Sequence, residues 1–164
     1  MTRIRFGTFL APHHPSGENP TLLFQRDLEF AAHLDRLGFD EFWCGEHHSS
    51  GWEMIASPEM FLAAAAQRTH RIRLGTGVVS LPYHHPFNVA QRMVQLDHMT
   101  GGRAIFGSGP GALASDVLLL CLGASASWLP LVGLLQALRK LARGSRALAG
   151  RGQEHLGRGD HLPA

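Results

Sequence analysis

Four short apolar runs, each followed by a polar loop and then by a stretch with helical spacing, constrain this chain more than any other feature. The runs are Arg3 to Leu10, Glu41 to Cys44, Ile72 to Leu81 and Ala104 to Gly107. The first alternates, with Ile4, Phe6 and Thr8 on one face, and turns at Pro12. The others are nearly continuous in apolar residues, as strands buried on both faces are. The order β-α-β-α-β-α-β with short connections predicts a parallel sheet with right-handed crossovers.

The helices announce their ends. Leu23, Leu28, Ala31, Ala32, Leu34 and Leu37 recur at helical spacing; Thr21 is the expected N-cap and Gly38 the stop. Ser57-Pro58-Glu59 opens a second helix, with a capping hydroxyl, a proline at its first position and an acid in its first turn; it is expected to run to about Thr69. Val89, Met93, Leu96 and Met99 share a face of a third helix, which Gly101-Gly102 ends.

Phe39 to His48, FDEFWCGEHH, is the stretch with chemistry in it. A strand (Phe42, Trp43, Cys44) runs straight into Gly45, Glu46, His47 and His48, and α/β folds collect chemistry beyond strand carboxyl ends. Imidazole titrates near neutrality, and a carboxylate beside it fixes its tautomer. On that ground Glu46 and His47 are the candidate catalytic pair. Two more pairs, His13-His14 and His84-His85, also follow strands, so all three belong to one face: a shared pocket rim, or solvated loop residues. With no HExxH and no CxxC, no metal site is expected. Gly75 and Gly77 inside a buried strand imply that something approaches the backbone closely. Gly107 to Gly111, GSGPG, has the makings of an anion cradle or of a simple turn.

A net charge of +2, from 15 basic against 13 acidic side chains, argues against electrostatic nucleic-acid binding. Cys44 and Cys121 sit far apart in apolar runs, as reduced core cysteines of an intracellular protein do, and no secretory signal opens the sequence, so the expected location is cytoplasmic. At Asp116 the composition changes. Residues 117–164 contain no Ile, Phe, Tyr, Thr, Met or Asn and only two acids. Two segments are therefore expected: 1–116, carrying the βα units, and 117–164, a Leu/Ala/Gly/Arg-rich tail, helical and then disordered from Arg151. The uncharged stretch Val117 to Leu138 has the length of a membrane span, but its proline and its Gly and Ser interruptions make a span the weaker reading.

RIRFGTFL, LGFDEFWCGEHH, SPEMFLAAAA, IRLGTGVVSLPYHHPFNVAQ and LDHMTGGRAIFGSGPG occur in this order from about Arg3 to Asp116, and together they resemble the bacterial luciferase-like, flavin-dependent monooxygenases. The branch most resembled oxygenates small organic substrates such as terpenes. The resemblance implies an α/β fold of the (β/α)8 TIM-barrel type, cut here to about four βα units. It implies reduced FMN at the strand carboxyl ends, O2 and a small organic molecule as co-substrates, and a flavin reductase as partner. By motif, His47 would be the acid–base or hydrogen-bonding residue, with Glu46 beside it. Gly75, Thr76, Gly77 and Val78 would lie along the flavin ring, with a cis peptide at Gly77-Val78, and Gly109 would line the ring pocket. The deazaflavin F420 is the alternative cofactor. A half barrel would leave two sheet edges open and Phe6, Trp43 and Val79 facing a void or water, so self-association is expected, and an inactive or non-catalytic, partner-binding fragment is the alternative function.

Overall fold

The structure is a computed structural model, and it describes residues 3–11, 13–111 and 113–120. Four βα units follow one another. Strand β1 (Gly7–Leu10) leads to helix α1 (Pro20–Leu37), β2 (Glu41–Cys44) to α2 (Pro58–Ala66), β3 (Arg73–Thr76) and β4 (Val79–Ser80) to α3 (Pro86–Met99), and β5 (Ala104–Ile105) and β6 (Ser108–Gly109) to α4 (Ala114–Leu120). The tail expected from 117 onward, including the uncharged stretch to Leu138, lies outside the described residues beyond Leu120. Among the described residues no helix is long and apolar enough to cross a membrane.

Helix α1 is capped two residues earlier than expected. Asn19, not Thr21, is the N-cap: its side chain accepts from the Thr21 N–H at 2.9 Å, and Pro20 fills the first helical position, where a missing N–H costs nothing. Gly38 ends it at φ 84°, a left-handed backbone that a side chain would disfavour. Helix α2 stops at Ala66 rather than near Thr69, and α3 begins at Pro86 rather than Val89.

One sheet runs in the order β1-β2-β3-β5, all parallel. Side chains alternate across it. Phe42, Cys44 and Leu74 are fully buried, and the Phe42 ring meets those of Phe30 on α1 and Phe61 on α2. Burying a side chain of Phe42's size contributes about 1.5–3 kcal/mol. On the opposite face one row crosses the sheet in register: Phe9, Trp43, Gly75 and Ile105. Phe9 is 57 % exposed and Trp43 half-buried. Phe6, as expected, is exposed, and so is Ile4, but both precede β1, and Val79 is buried at 2 % rather than facing water. Among the described residues β1 and β5 are the sheet's edges, and unpaired edges invite association.

The expected third strand, Ile72 to Leu81, is two strands. Between them the Gly77–Val78 peptide is cis, at the bond the resemblance named. The neighbouring strand breaks at the same level, and β4 pairs with β6 as a separate two-stranded sheet. The Thr76 hydroxyl bridges the gap: it donates to the Gly107 carbonyl at 2.8 Å and accepts from the Gly107 N–H at 3.0 Å.

At the amino ends of the strands two side chains do similar work. Asp35, at the end of α1, accepts the backbone N–H groups of His70, Arg71 and Ile72 at 3.0, 2.9 and 2.7 Å. Burial works to raise its pKa, but these three donors outweigh it and hold the carboxyl below the usual value. Arg103 donates to the carbonyls of Ala66, Thr69, Ile72 and Thr100 and to the Thr69 hydroxyl, at 3.0–3.2 Å. It thus satisfies the carboxyl end of α2, the entry to β3 and the end of α3. Arg103→Met is expected to lower the free energy of unfolding by about 2–3 kcal/mol, because the carbonyls lose a charged donor. Arg103→Lys should recover less than half of this, since an ammonium cannot span the fork. Urea denaturation of the three chains measures both.

Candidate active site

The carboxyl end of β2 divides its polar residues between two sides. Gly45 still pairs with the strand, its N–H donating to the Leu10 carbonyl at 3.2 Å. Glu46 then turns inward and is buried. One of its oxygens, Oε1, lies 2.6 Å from Nε2 of His48 and 2.8 Å from Nε2 of His84; the other accepts the Ser80 N–H at 2.8 Å. Burial pushes the carboxyl up, but the donors from His84, His48 and Ser80 win, and its pKa lies below the ordinary 4.5. Glu46 therefore ties the β2 loop to β4 and to the 3₁₀ turn Leu81–Tyr83 that follows it. The ring of Tyr83 stands edge-on to His48, with centroids 5.7 Å apart.

His47 points elsewhere. Its N–H donates to the Ile55 carbonyl at 3.1 Å, and its ring lies between two other buried carboxylates. Nε2 is 3.4 Å from Oε1 of Glu53; Nδ1, buried and without a direct hydrogen bond, is 3.8 Å from Oδ2 of Asp116. The same Glu53 oxygen is 2.6 Å from Nε2 of His13, which is exposed and tilts over Trp52. Asp116 is held by the Ser49 N–H at 2.8 Å. Sequence adjacency thus misassigned the partner: Glu46 neighbours His47 in the chain but serves His48 and His84, and Glu53 is the carboxylate that faces His47.

Each histidine pair is split in the same way. His14 is buried with Nε2 2.7 Å from Oδ2 of Asp27 on α1, and His85 is exposed at the start of α3. Two clusters result, His13–Glu53–His47–Asp116 and His48–Glu46–His84. Sequence reasoning missed Glu53, Asp116 and Asp27. The only signal for Glu53 was a lone acid in the loop after β2, and for Asp116 an acid in a helix's first turn.

Glu46, His48 and His84 each offer a ligand atom, all within 4.8 Å of one another. Two imidazoles and a carboxylate are a divalent-metal donor set. No motif scan finds it, because the residues come from two loops 38 positions apart.

The cofactor candidates divide as well. Gly75 is fully buried, and a Cβ there would lie 2.5 Å from the Trp43 indole, so its close approach is to Trp43 rather than to a ligand. Thr76 is buried, with its hydroxyl committed to Gly107. Gly77, Val78 and Gly109 are half-buried at the strand ends and remain available. A Cβ on Gly77 would come 3.1 Å from the Phe9 ring, so an aromatic side chain lies over this glycine as one does over Gly75. None of the five candidates carries a charge to hold a phosphate.

The chain matches the family described as luciferase-like monooxygenase over residues 4–163. It belongs to that family. As a luciferase-like chain, it is 63% identical over 120 residues to the 4-hydroxyprotoasukamycin monooxygenase of Streptomyces nodosus subsp. asukaensis, a match covering 73% of this chain and 32% of the relative. It is 64% identical over 118 residues to the limonene 1,2-monooxygenase of Rhodococcus erythropolis, covering 72% and 30%. Among solved structures it resembles the oxygenating constituent of 3,6-diketocamphane monooxygenase from Pseudomonas putida, a type II Baeyer-Villiger monooxygenase in complex with FMN. The TM-score is 0.71 at 25% identity, over 90% of this chain and 38% of that one. The chain spans about a third of the length of the curated relatives it matches. The four βα units are thus of the luciferase-like barrel type.

Because Glu46's pKa is depressed, its stabilisation is complete above the ordinary 4.5 and is lost as pH falls through its lower, folded value. The chain should hold its urea midpoint from pH 7 to about pH 5 and lose it below. Glu46→Gln should cost about 2–4 kcal/mol at pH 7 and progressively less as the medium is acidified. Acid sensitivity should persist in part, since Asp35 has the same sign.

Proposed function

We propose that this chain forms the strand-end wall of a flavin-dependent monooxygenase site, where reduced FMN and O2 oxygenate a small organic substrate and a separate reductase supplies the reduced flavin. The observation that carries the reading is His47, at a strand carboxyl end, between the buried carboxylates of Glu53 and Asp116. Membership in a monooxygenase family supports it. Bound reduced flavin supplies the electrons that activate O2, so that one oxygen enters the substrate and the other leaves as water.

The chain's own residues do the rest. Gly77 and Val78 offer backbone to the ring, with Phe9 and Trp43 excluding water beside it. His47 holds or moves a proton at Nε2, and Glu53 compensates its charge and orients the imidazole. Glu46 acts at one remove, by fixing the loop that carries His47. The substrate is a small apolar molecule such as a terpene, and the enzyme works in the cytoplasm. By itself the 164-residue chain is expected to self-associate through the β1 and β5 edges and to bind FMN weakly, since the cofactor candidates offer no cation.

The test is a chimera in which residues 3–116 replace the matching part of the limonene monooxygenase. His47→Ala should lower turnover by about 10²–10⁴-fold with FMN affinity kept, the usual size of general acid–base help. Unchanged turnover with bound flavin would rule out the role of His47. Titration with FMN and with F420 separates the cofactor readings: tight binding of the deazaflavin alone would favour F420-dependent hydride transfer.

A further inference from the structure

Arg92, on α3, stands behind the Glu46 cluster. Its Nη1 pairs with Oε1 of Glu59 on α2 at 2.6 Å, and its Nη2 is 3.3 Å from Nδ1 of His84. A guanidinium carries donors only. Nδ1 of His84 must therefore accept, and the proton of the neutral ring must sit on Nε2, where it is donated to Glu46 at 2.8 Å. The tautomer follows from the chemistry of the partner on the far side of the ring.

This matters because the same nitrogen belongs to a set that otherwise suits a divalent cation. Glu46 Oε1, His48 Nε2 and His84 Nε2 lie within 4.8 Å of one another, with Glu46 buried and both imidazoles largely so. A metal needs a lone pair on each nitrogen. Moving the His84 proton to Nδ1 would free that lone pair but set N–H against N–H at Arg92. The guanidinium's positive charge, one ring away, also opposes a dication. A cavity of about 540 Å³, lined by His84, Arg92 and Asn88 among others, opens beside His84.

We propose that Arg92 is a positioning residue that fixes His84 as the Nε2–H tautomer and thereby keeps the Glu46–His48–His84 cluster hydrogen-bonded and closed to divalent transition-metal ions. Glu59 anchors Arg92 in turn. Polar contacts thus run from Glu59 on α2 through Arg92 on α3 to His84, Glu46 and His48 at the end of β2. The inference does not depend on flavin, and its test needs none.

The test uses the 164-residue chain labelled with 15N-histidine, whose ring nitrogens report protonation directly in solution or in the solid state. At about pH 8, where imidazole is neutral, the resonances lost in His84→Gln should show a protonated Nε2 and an accepting Nδ1. In Arg92→Met the proton should redistribute toward Nδ1, and Arg92→Lys, which keeps a cationic donor, should restore the original pattern. Zn2+ titration should show no His84-dependent binding in the wild-type chain. In Arg92→Met, Zn2+ should bind about tenfold tighter or more, the scale on which outer-shell partners act on metal sites, and adding His48→Gln should abolish the gain. An Nδ1–H pattern for His84 in the wild-type chain overturns the proposal whatever the variants do, including when Arg92→Met fails to fold. An unchanged pattern in folded Arg92→Met overturns it, and so does Zn2+ binding by the wild-type chain that His84→Gln removes.

Discussion

A carboxylate taken out of water is tolerable only when hydrogen bonds replace its hydration. Glu46 meets that condition with donors from two imidazoles and a backbone N–H, and in doing so joins the end of β2 to the end of β4 across 34 residues. The rest of the strand-end surface depends on this joint. Because Glu46 turns toward His84, the next residue, His47, must turn to the opposite side, where it meets Glu53. Asp35 applies the same physics at the other end of the sheet, gathering three N–H groups at the entry to β3. Buried anions thus fix both ends of the parallel strands, while apolar burial of Phe42 and Leu74 holds the middle.

This arrangement separates two tasks that sequence adjacency had merged. One buried glutamate organises structure, through His48 and His84. The other, Glu53, links His47 to the exposed His13 and so offers the candidate acid–base residue a polar connection to solvent.

The order of strands and helices was legible because periodicity and punctuation are local. Gly38 and Gly101-Gly102 end helices where expected, and buried strands read as apolar runs. The cis peptide at Gly77–Val78 was named through the family resemblance, and the break in the strand there was not foreseen. The N-cap went to Asn19 rather than Thr21 because Pro20 already supplies the first helical position. Gly75 was read as ligand approach, but the indole that fills the space above it comes from a strand 32 residues away in register, which no single strand's sequence contains. Glu53, Asp116 and Arg92 went unseen for the same reason: each acts on a partner that is close in space and has no fixed spacing in the chain. Adjacent strand-end residues point to opposite sides, so the neighbour in sequence is the worst candidate for a partner.

The division of the two glutamates is tested most directly by double-mutant cycles on the unfolding free energy at pH 7. Glu46→Gln is combined in one cycle with His84→Gln and in the other with His47→Gln. Groups that share a hydrogen bond couple by about 0.5–3 kcal/mol, and only distant groups with no shared partner add within about 0.3–0.5 kcal/mol. The account predicts clear coupling of Glu46 to His84 and a distinctly smaller coupling of Glu46 to His47, which acts only through the shared loop. Coupling to His47 as large as that to His84 would contradict it.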